Sequence, residues 1–168
     1  RTWWANSRRI YSEQELPNEM KRIMGIDYGS ARIGVALSDE LQMLAHPTET
    51  IVMAKVADPV ARIAALVSER NVELIVVGLP RHMNGRVGTS ADEASGFADK
   101  LKAKVECEVQ TWDERLSTVA AQRALREAGK SVRESRGYID QVAAQMLLQS
   151  YLDSLLSNQG GLEPIPFG

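Results

Sequence analysis

The chain has 168 residues, with 20 Lys+Arg against 22 Asp+Glu, two His, one Cys and a formal charge of −2. That length fits one domain that can bury a core without disulfides, and the single Cys107 could form none within the chain. A 44% hydrophobic and 25% charged composition is that of an ordinary globular protein; it excludes a histone-like basic chain but not nucleic-acid binding, which depends on local patches.

Residues 1–19 show no sustained period of 2 or 3.6 and lack the apolar core and cleavage site of a signal peptide. They read as a disordered extension ahead of a start at Met20, the alternative being a basic and aromatic arm (Trp3, Trp4, Arg8, Arg9) that touches RNA. No apolar run approaches the roughly 20 residues of a membrane span, and the chain is expected to be cytoplasmic.

Residues 22–27 (RIMGID) and 32–38 (RIGVALS) are short apolar runs around a Tyr-Gly-Ser-Ala turn, so a hairpin is expected. Residues 43–53 hold a third strand, which His46-Pro47 confines to an edge or bends. Asp58-Pro59 reads as an N-cap followed by Pro at the first helical position, with Val60, Ile63, Ala64 and Val67 at helical spacing. Residues 74–77 (LIVV) suit a buried parallel strand. Ser90 and Glu93 have capping-box spacing ahead of a helix whose inner face is Ala94, Phe97, Ala98 and Leu101. Residues 105–112 alternate as a strand with one wetter face. Ser117 or Thr118 can cap a helix that ends at Gly129, and a last helix runs over about 139–156. Three strands in meander followed by βα units indicate an α/β fold, a mixed five-stranded sheet with helices on its faces. The domain is expected over 20–156, with 157–168 as a flexible tail.

Three acidic positions stand out. Asp27 ends a buried strand, Asp113-Glu114 ends another, and Asp140 is expected in the first turn of the last helix. Asp140 shares a stripe there with Ala143, Ala144, Leu147 and Tyr151, so it points toward protein. Each has a structural explanation: Asp27 bonding its own turn, Glu114 pairing with Arg115 or capping a helix, Asp140 favouring a helix N-terminus. Together they suggest more, because clustered carboxylates repel unless a cation sits between them. Oxygen ligands alone suit Mg²⁺ or Mn²⁺, and such a site can stabilise the attacking and leaving oxygens of a phosphodiester displacement.

These residues lie in four blocks, GIDYGSARIGVALSD (25–39), VVGLPRHMNG (76–85), WDERLST (112–118) and DQVAAQMLLQSYLD (140–153). In that order they resemble the YqgF/RuvX family. The resemblance spans about 21–155 and implies a ribonuclease H-like fold. It also implies a nuclease, described for the family either as a Holliday-junction resolvase or as a nuclease maturing the 5′ end of pre-16S rRNA. Asp27, Glu114 and Asp140 match the family's acids, with Asp113 beside Glu114; Glu114 is preferred as the second carboxylate. Ser117 ahead of Thr118 departs from the family pattern by a mild hydroxyl swap.

For substrate, Arg115, Arg123, Arg126, Lys130, Arg133 and Arg136 face only Glu127 and Glu134 in the same stretch. They are expected to contact phosphates, and residues 131–137 to form a loop that orders on RNA or DNA. A solvated helix face is the alternative for Arg123 and Arg126. Arg32 either neutralises a phosphate or pairs with Asp39 or Glu40. Asn84-Gly85 reads as a turn, which the resemblance places near the site. His46, His82 and Cys107 are given no catalytic role. The expected partner is nucleic acid, with pre-rRNA and the small-subunit precursor favoured, branched DNA as the alternative, and the protein a monomer or homodimer. A junction resolvase needs two symmetric sites. A non-catalytic rRNA-binding assembly module would not need three acids, and an actin-like ATPase would need a second domain.

Overall fold

The two runs around the Gly29 turn pair as an antiparallel hairpin in a computed structural model that describes residues 21–80, 89–113 and 136–159. They form β1 (Arg22–Tyr28) and β2 (Arg32–Ser38). β3 (Ala45–Val52) adds antiparallel to β2 at the sheet edge. Pro47 is tolerated there, beside a register shift in the pairing between Val35 and Ala36. β4 (Val72–Leu79) and β5 (Glu108–Asp113) add parallel on the other side of β1, giving the order β3-β2-β1-β4-β5. The mixed five-stranded sheet has helices on both faces, as the alternation of elements requires.

Helix α1 (Pro59–Arg70) starts where the Asp-Pro pair places it. Asp58 is extended and its side chain accepts a 3.1 Å hydrogen bond from the Ala61 amide. It ends on Asn71 in the left-handed region, φ 55°, whose N–H bonds the Val67 carbonyl. Helix α2 (Thr89–Lys104) begins one residue ahead of Ser90, which therefore sits inside the first turn instead of capping it. Helix α3 (Arg136–Gln159) covers the expected last helix and extends it by three residues at each end.

Two of these boundaries correct the sequence-based expectation. β5 starts at Glu108 and not at residue 105, because the Val105 amide donates to the Leu101 carbonyl at 2.9 Å and closes the last turn of α2. Gly137, expected in a loop, lies in the first turn of α3. A helical glycine costs about 1 kcal/mol, which the long packed face behind it offsets. Asp140 is consequently one turn inside the helix, so a preference for the helix N-terminus does not explain it.

The sheet divides the core in two. Met24, Ile26, Ile33, Val35, Ile75 and Val77 point to α1 and α2, against Ile63, Leu66, Phe97 and Leu101. Ile23, Ala36, Leu74 and Val76 point to α3, against Ala144, Leu148, Tyr151 and Leu152. The stripe expected on the last helix is therefore its buried face, with Ala144, Leu147 and Tyr151 buried and Ala143 half-buried. Fully burying each leucine contributes about 1.5–3 kcal/mol. Cys107 is half-buried at the margin of the first cluster, and burial pushes its thiol up from the ordinary range, as suits a packing residue.

Polar side chains fasten the edge. Gln149 accepts from the Ala45 amide at 2.9 Å and donates to the Met43 carbonyl at 3.0 Å, while Gln145 donates to the Ala45 carbonyl at 3.0 Å. Arg62 of α1 grips Glu49 of β3 through Nε to Oε2 at 3.0 Å and Nη2 to Oε1 at 2.7 Å. Ser38, buried, accepts the Ile23 amide at 2.8 Å and donates to the Asp39 carbonyl at 2.9 Å.

Replacing the N-cap, Asp58→Ala, is expected to lower stability by about 1 kcal/mol. A shift of the urea midpoint with an unchanged denaturant slope checks it.

Candidate active site

Side chains alternate along a strand, so Ile23, Gly25 and Asp27 of β1 share the face that α3 covers, while Met24, Ile26 and Tyr28 point the other way. Asp27 lies near the carboxyl end of β1, where parallel sheets gather their sites. Its cross-strand partner in β2 is Gly34. Arg32 and Gly34 lie on the same face of β2, two residues apart.

Helix α3 comes down on that spot. A Cβ added to Gly34 would sit 1.9 Å from the Asp140 carbonyl oxygen and 3.3 Å from its Cα. A Cβ at Gly25 would meet Leu148 Cβ at 2.7 Å. Only glycine at these two places lets the helix backbone rest on the strands. The contact carries Asp140 over the cross-strand neighbour of Asp27. Sequence reasoning missed Gly34; its signal was a glycine inside an otherwise apolar strand run, which marks a close backbone approach.

Arg32 Nε lies 3.1 Å from Asp140 Oδ2. The alternatives expected for Arg32 are taken differently: Arg22 pairs with Glu40 at 3.4 Å, and Asp39 accepts the Met43 amide at 2.8 Å and the Leu44 amide at 3.3 Å. The Arg32 contact has ion-pair distance without hydrogen-bond alignment. Oδ2 is buried and receives no hydrogen bond among the described residues. Burial pushes the Asp140 carboxyl above the ordinary aspartate range, and the Arg32 charge pulls it partly back.

Asp113 shares the carboxyl end of the parallel strands but not the face. Gln110 meets Tyr151 of α3 and Trp112 stacks edge-on against the same ring, with centroids 5.2 Å apart. Alternation then points Asp113 toward the α1–α2 side, away from Asp27 and Asp140. The Trp112 Nε1 is buried without a hydrogen-bond partner among the described residues.

The fold thus brings together Asp27, Arg32 and Asp140. Glu114, Arg115, Asn84, Lys130 and Arg133, together with Arg123, Arg126, His82 and the helix expected from residue 117, lie outside the described residues. Arg136 opens α3, so it belongs to the helix and not to a loop. Among the described residues no group of three His, Cys, Asp or Glu forms a metal cluster, and no helix is long and apolar enough to cross a membrane.

Residues 21–154 match the family model described as RuvX: Holliday junction resolvase. A protein of Moorella thermoacetica, provisionally named pre-16S rRNA nuclease, is 50% identical over 137 residues, covering 82% of this chain and 98% of its own. One of Desulforamulus reducens with the same provisional name is 45% identical over 133 residues, covering 79% and 97%. Among solved structures, RuvC of T. thermophilus in complex with Holliday junction substrate aligns with a TM-score of 0.52 at 13% identity, covering 83% of this chain and 96% of that one. The Fowlpox virus resolvase with Holliday junction DNA gives 0.52 at 10% identity, covering 80% and 99%. Both likenesses are of fold, the ribonuclease H-like arrangement.

The raised carboxyl makes a signed prediction. Unfolded, Asp140 titrates near 3.8, and the folded value lies above it. The folded state holds the proton more tightly, so this group's contribution to stability falls as pH rises through that window. Asp140→Asn removes the burden and is expected to be more stable than the parent at about pH 7 in chelator, the advantage vanishing near pH 3. Urea midpoints at both pH values check this; a less stable variant at neutral pH would mean that Arg32 outweighs burial.

Proposed function

The chain belongs to the RuvX family, and from that premise we propose that it is a divalent-metal-dependent endonuclease hydrolysing phosphodiester bonds, with the 5′ end of pre-16S rRNA as substrate and ribosome biogenesis as its setting. The observation that carries the reading is the placement of Asp27 and Asp140 on one sheet face, with a buried carboxylate oxygen that no hydrogen bond among the described residues satisfies. A buried carboxylate oxygen whose neighbouring guanidinium approaches out of line is poorly served, and a hard cation is a partner that oxygen donors fit. The residues present therefore suit Mg²⁺ or Mn²⁺.

Asp27 and Asp140 would hold the ion, with Glu114 as the third ligand. Glu114 follows Asp113 along the chain, and Asp113 points to the opposite side from Asp27; that favours Glu114 over Asp113. When bound, the metal supplies charge stabilisation for the attacking and leaving oxygens. The chain's own residues do the rest. Asp27 and Asp140 would hold the ion on the sheet face that Arg32 shares. Arg32 brings a guanidinium to the same face, and Arg115, Asn84, Lys130, Arg133 and Arg136 bind the nucleic-acid backbone. Water is the nucleophile, so no Ser, Cys or His is required. The domain over 20–156 is the catalytic unit, working in the cytoplasm on a small-subunit precursor.

The family description favours a second reading, cleavage of four-way DNA junctions, which would need two symmetric sites and hence a dimer. Incubation with Mg²⁺ or Mn²⁺ and either a 16S precursor leader or a four-way junction separates the two. Asp27→Asn and Asp140→Asn are each expected to lower cleavage at least about a hundredfold, on the scale of losing one charge-stabilising group, and chelator is expected to abolish it. Unchanged cleavage by Asp27→Asn sinks the metal mechanism. Tight RNA binding with no cleavage by the parent protein makes it an assembly factor.

A further inference from the structure

Two arginine–carboxylate pairs in this molecule are built differently. Arg62 holds Glu49 with two aligned hydrogen bonds, the bidentate geometry that makes such pairs strong. Arg32 stands with Nε 3.1 Å from Asp140 Oδ2 and out of line, and among the described residues the buried Oδ2 has no hydrogen bond. The first pair joins a helix to an edge strand. The second occupies a carboxylate oxygen that the proposed site would offer to a cation.

The placement of Arg32 is fixed by the backbone. Arg32 precedes Gly34 by two residues on the α3 side of β2, and Gly34 is where the Asp140 main chain rests. Its guanidinium is therefore held within reach of the carboxylate whether or not the contact is a good one. Among the described residues its Nη1 and Nη2 groups make no hydrogen bond, so little besides charge holds it there. A weakly oriented positive charge beside a half-buried carboxylate neutralises it without locking it.

We propose that Arg32 is the internal counter-ion of the metal site: it occupies Asp140 in the cation-free protein and must yield Oδ2 to a divalent ion, so that it lowers the site's affinity for metal. This rests on the metal-site reading of Asp27 and Asp140 given above. Two positive charges cannot share one carboxylate oxygen without repulsion, and a unit charge a few ångströms away in a half-solvated setting shifts an ion's binding by a modest factor. Arg32 is accordingly a positioning residue: it stands on Asp140 Oδ2 while the site is empty of metal, and makes metal binding an exchange of one cation for another.

The test is a titration of Mn²⁺ alone into the full chain, without nucleic acid, counting free Mn²⁺ by its electron paramagnetic resonance signal. Arg32→Gln and Arg32→Met are each expected to bind Mn²⁺ about three- to tenfold more tightly than the parent. Arg32→Lys, which keeps the charge, is expected to stay within about twofold of the parent. Asp140→Asn should lose the site. Thermal unfolding of each variant confirms that it is folded; a purely structural role for Arg32 would lower the melting temperature without tightening Mn²⁺ binding. Equal or weaker Mn²⁺ binding by both neutral variants, with Asp140→Asn still losing the site, overturns the counter-ion role. Undiminished Mn²⁺ binding by Asp140→Asn overturns the metal-site reading itself, and the inference with it.

Discussion

The arrangement depends on how closely α3 lies against the sheet. Helix and strand backbones normally stand apart by the thickness of two side chains. At Gly25 and Gly34 that thickness is missing, and the helix rests on the strands themselves. An added methyl at Gly34 would meet main-chain atoms, which cannot rotate away as a side chain can, so the usual overpacking cost of about 1–3 kcal/mol is a lower guide there. Because the two glycines sit on neighbouring strands, the helix has one seating. Ala144, Leu148 and Leu152 fall into the sheet, and Asp140, one turn before Ala144, is delivered beside the strand that carries Asp27.

That seating carries an electrostatic burden. Asp140 is partly desolvated, and its nearest positive charge approaches off line. Other polar groups among the described residues are better served. Ser38, fully buried, both donates and accepts, and Asp39 collects two amides at its loop. A carboxylate oxygen so poorly served beside such well-satisfied groups fits stability yielding to function at one place. Trp112, with its buried indole N–H unmatched among the described residues, sits on the same sheet face at the carboxyl end of β5, so the irregular groups gather at one end of the sheet.

Much of this was legible in the residues. Periods of two and 3.6, the Asp58-Pro59 start and the Pro in β3 gave the element order and the edge strand, because these are local effects written within a few positions. Asp27 and Asp140 stood out because a carboxylate on an apolar stripe has no local reason to be there. What could not be read was non-local. The depth of Asp140 within α3 depended on Gly137 being tolerated in a helix that packing stabilises over its whole length. The partner of Arg32 depended on a helix more than 100 residues away, and its nearer candidates, Asp39 and Glu40, were already engaged by the β2–β3 loop and Arg22. The start of β5 was set by the closing turn of α2, which takes the Val105 amide.

The glutamines on α3 have a consequence for how this protein meets copies of itself. An exposed sheet edge is ordinarily a template on which another chain can add a strand. Here both main-chain polar groups of Ala45, at the start of the edge strand, are already taken by Gln145 and Gln149, and Pro47 offers no N–H two residues on. At that end of β3 the helix stands in for the next strand. The fold therefore discourages growth by sheet extension at that end of β3.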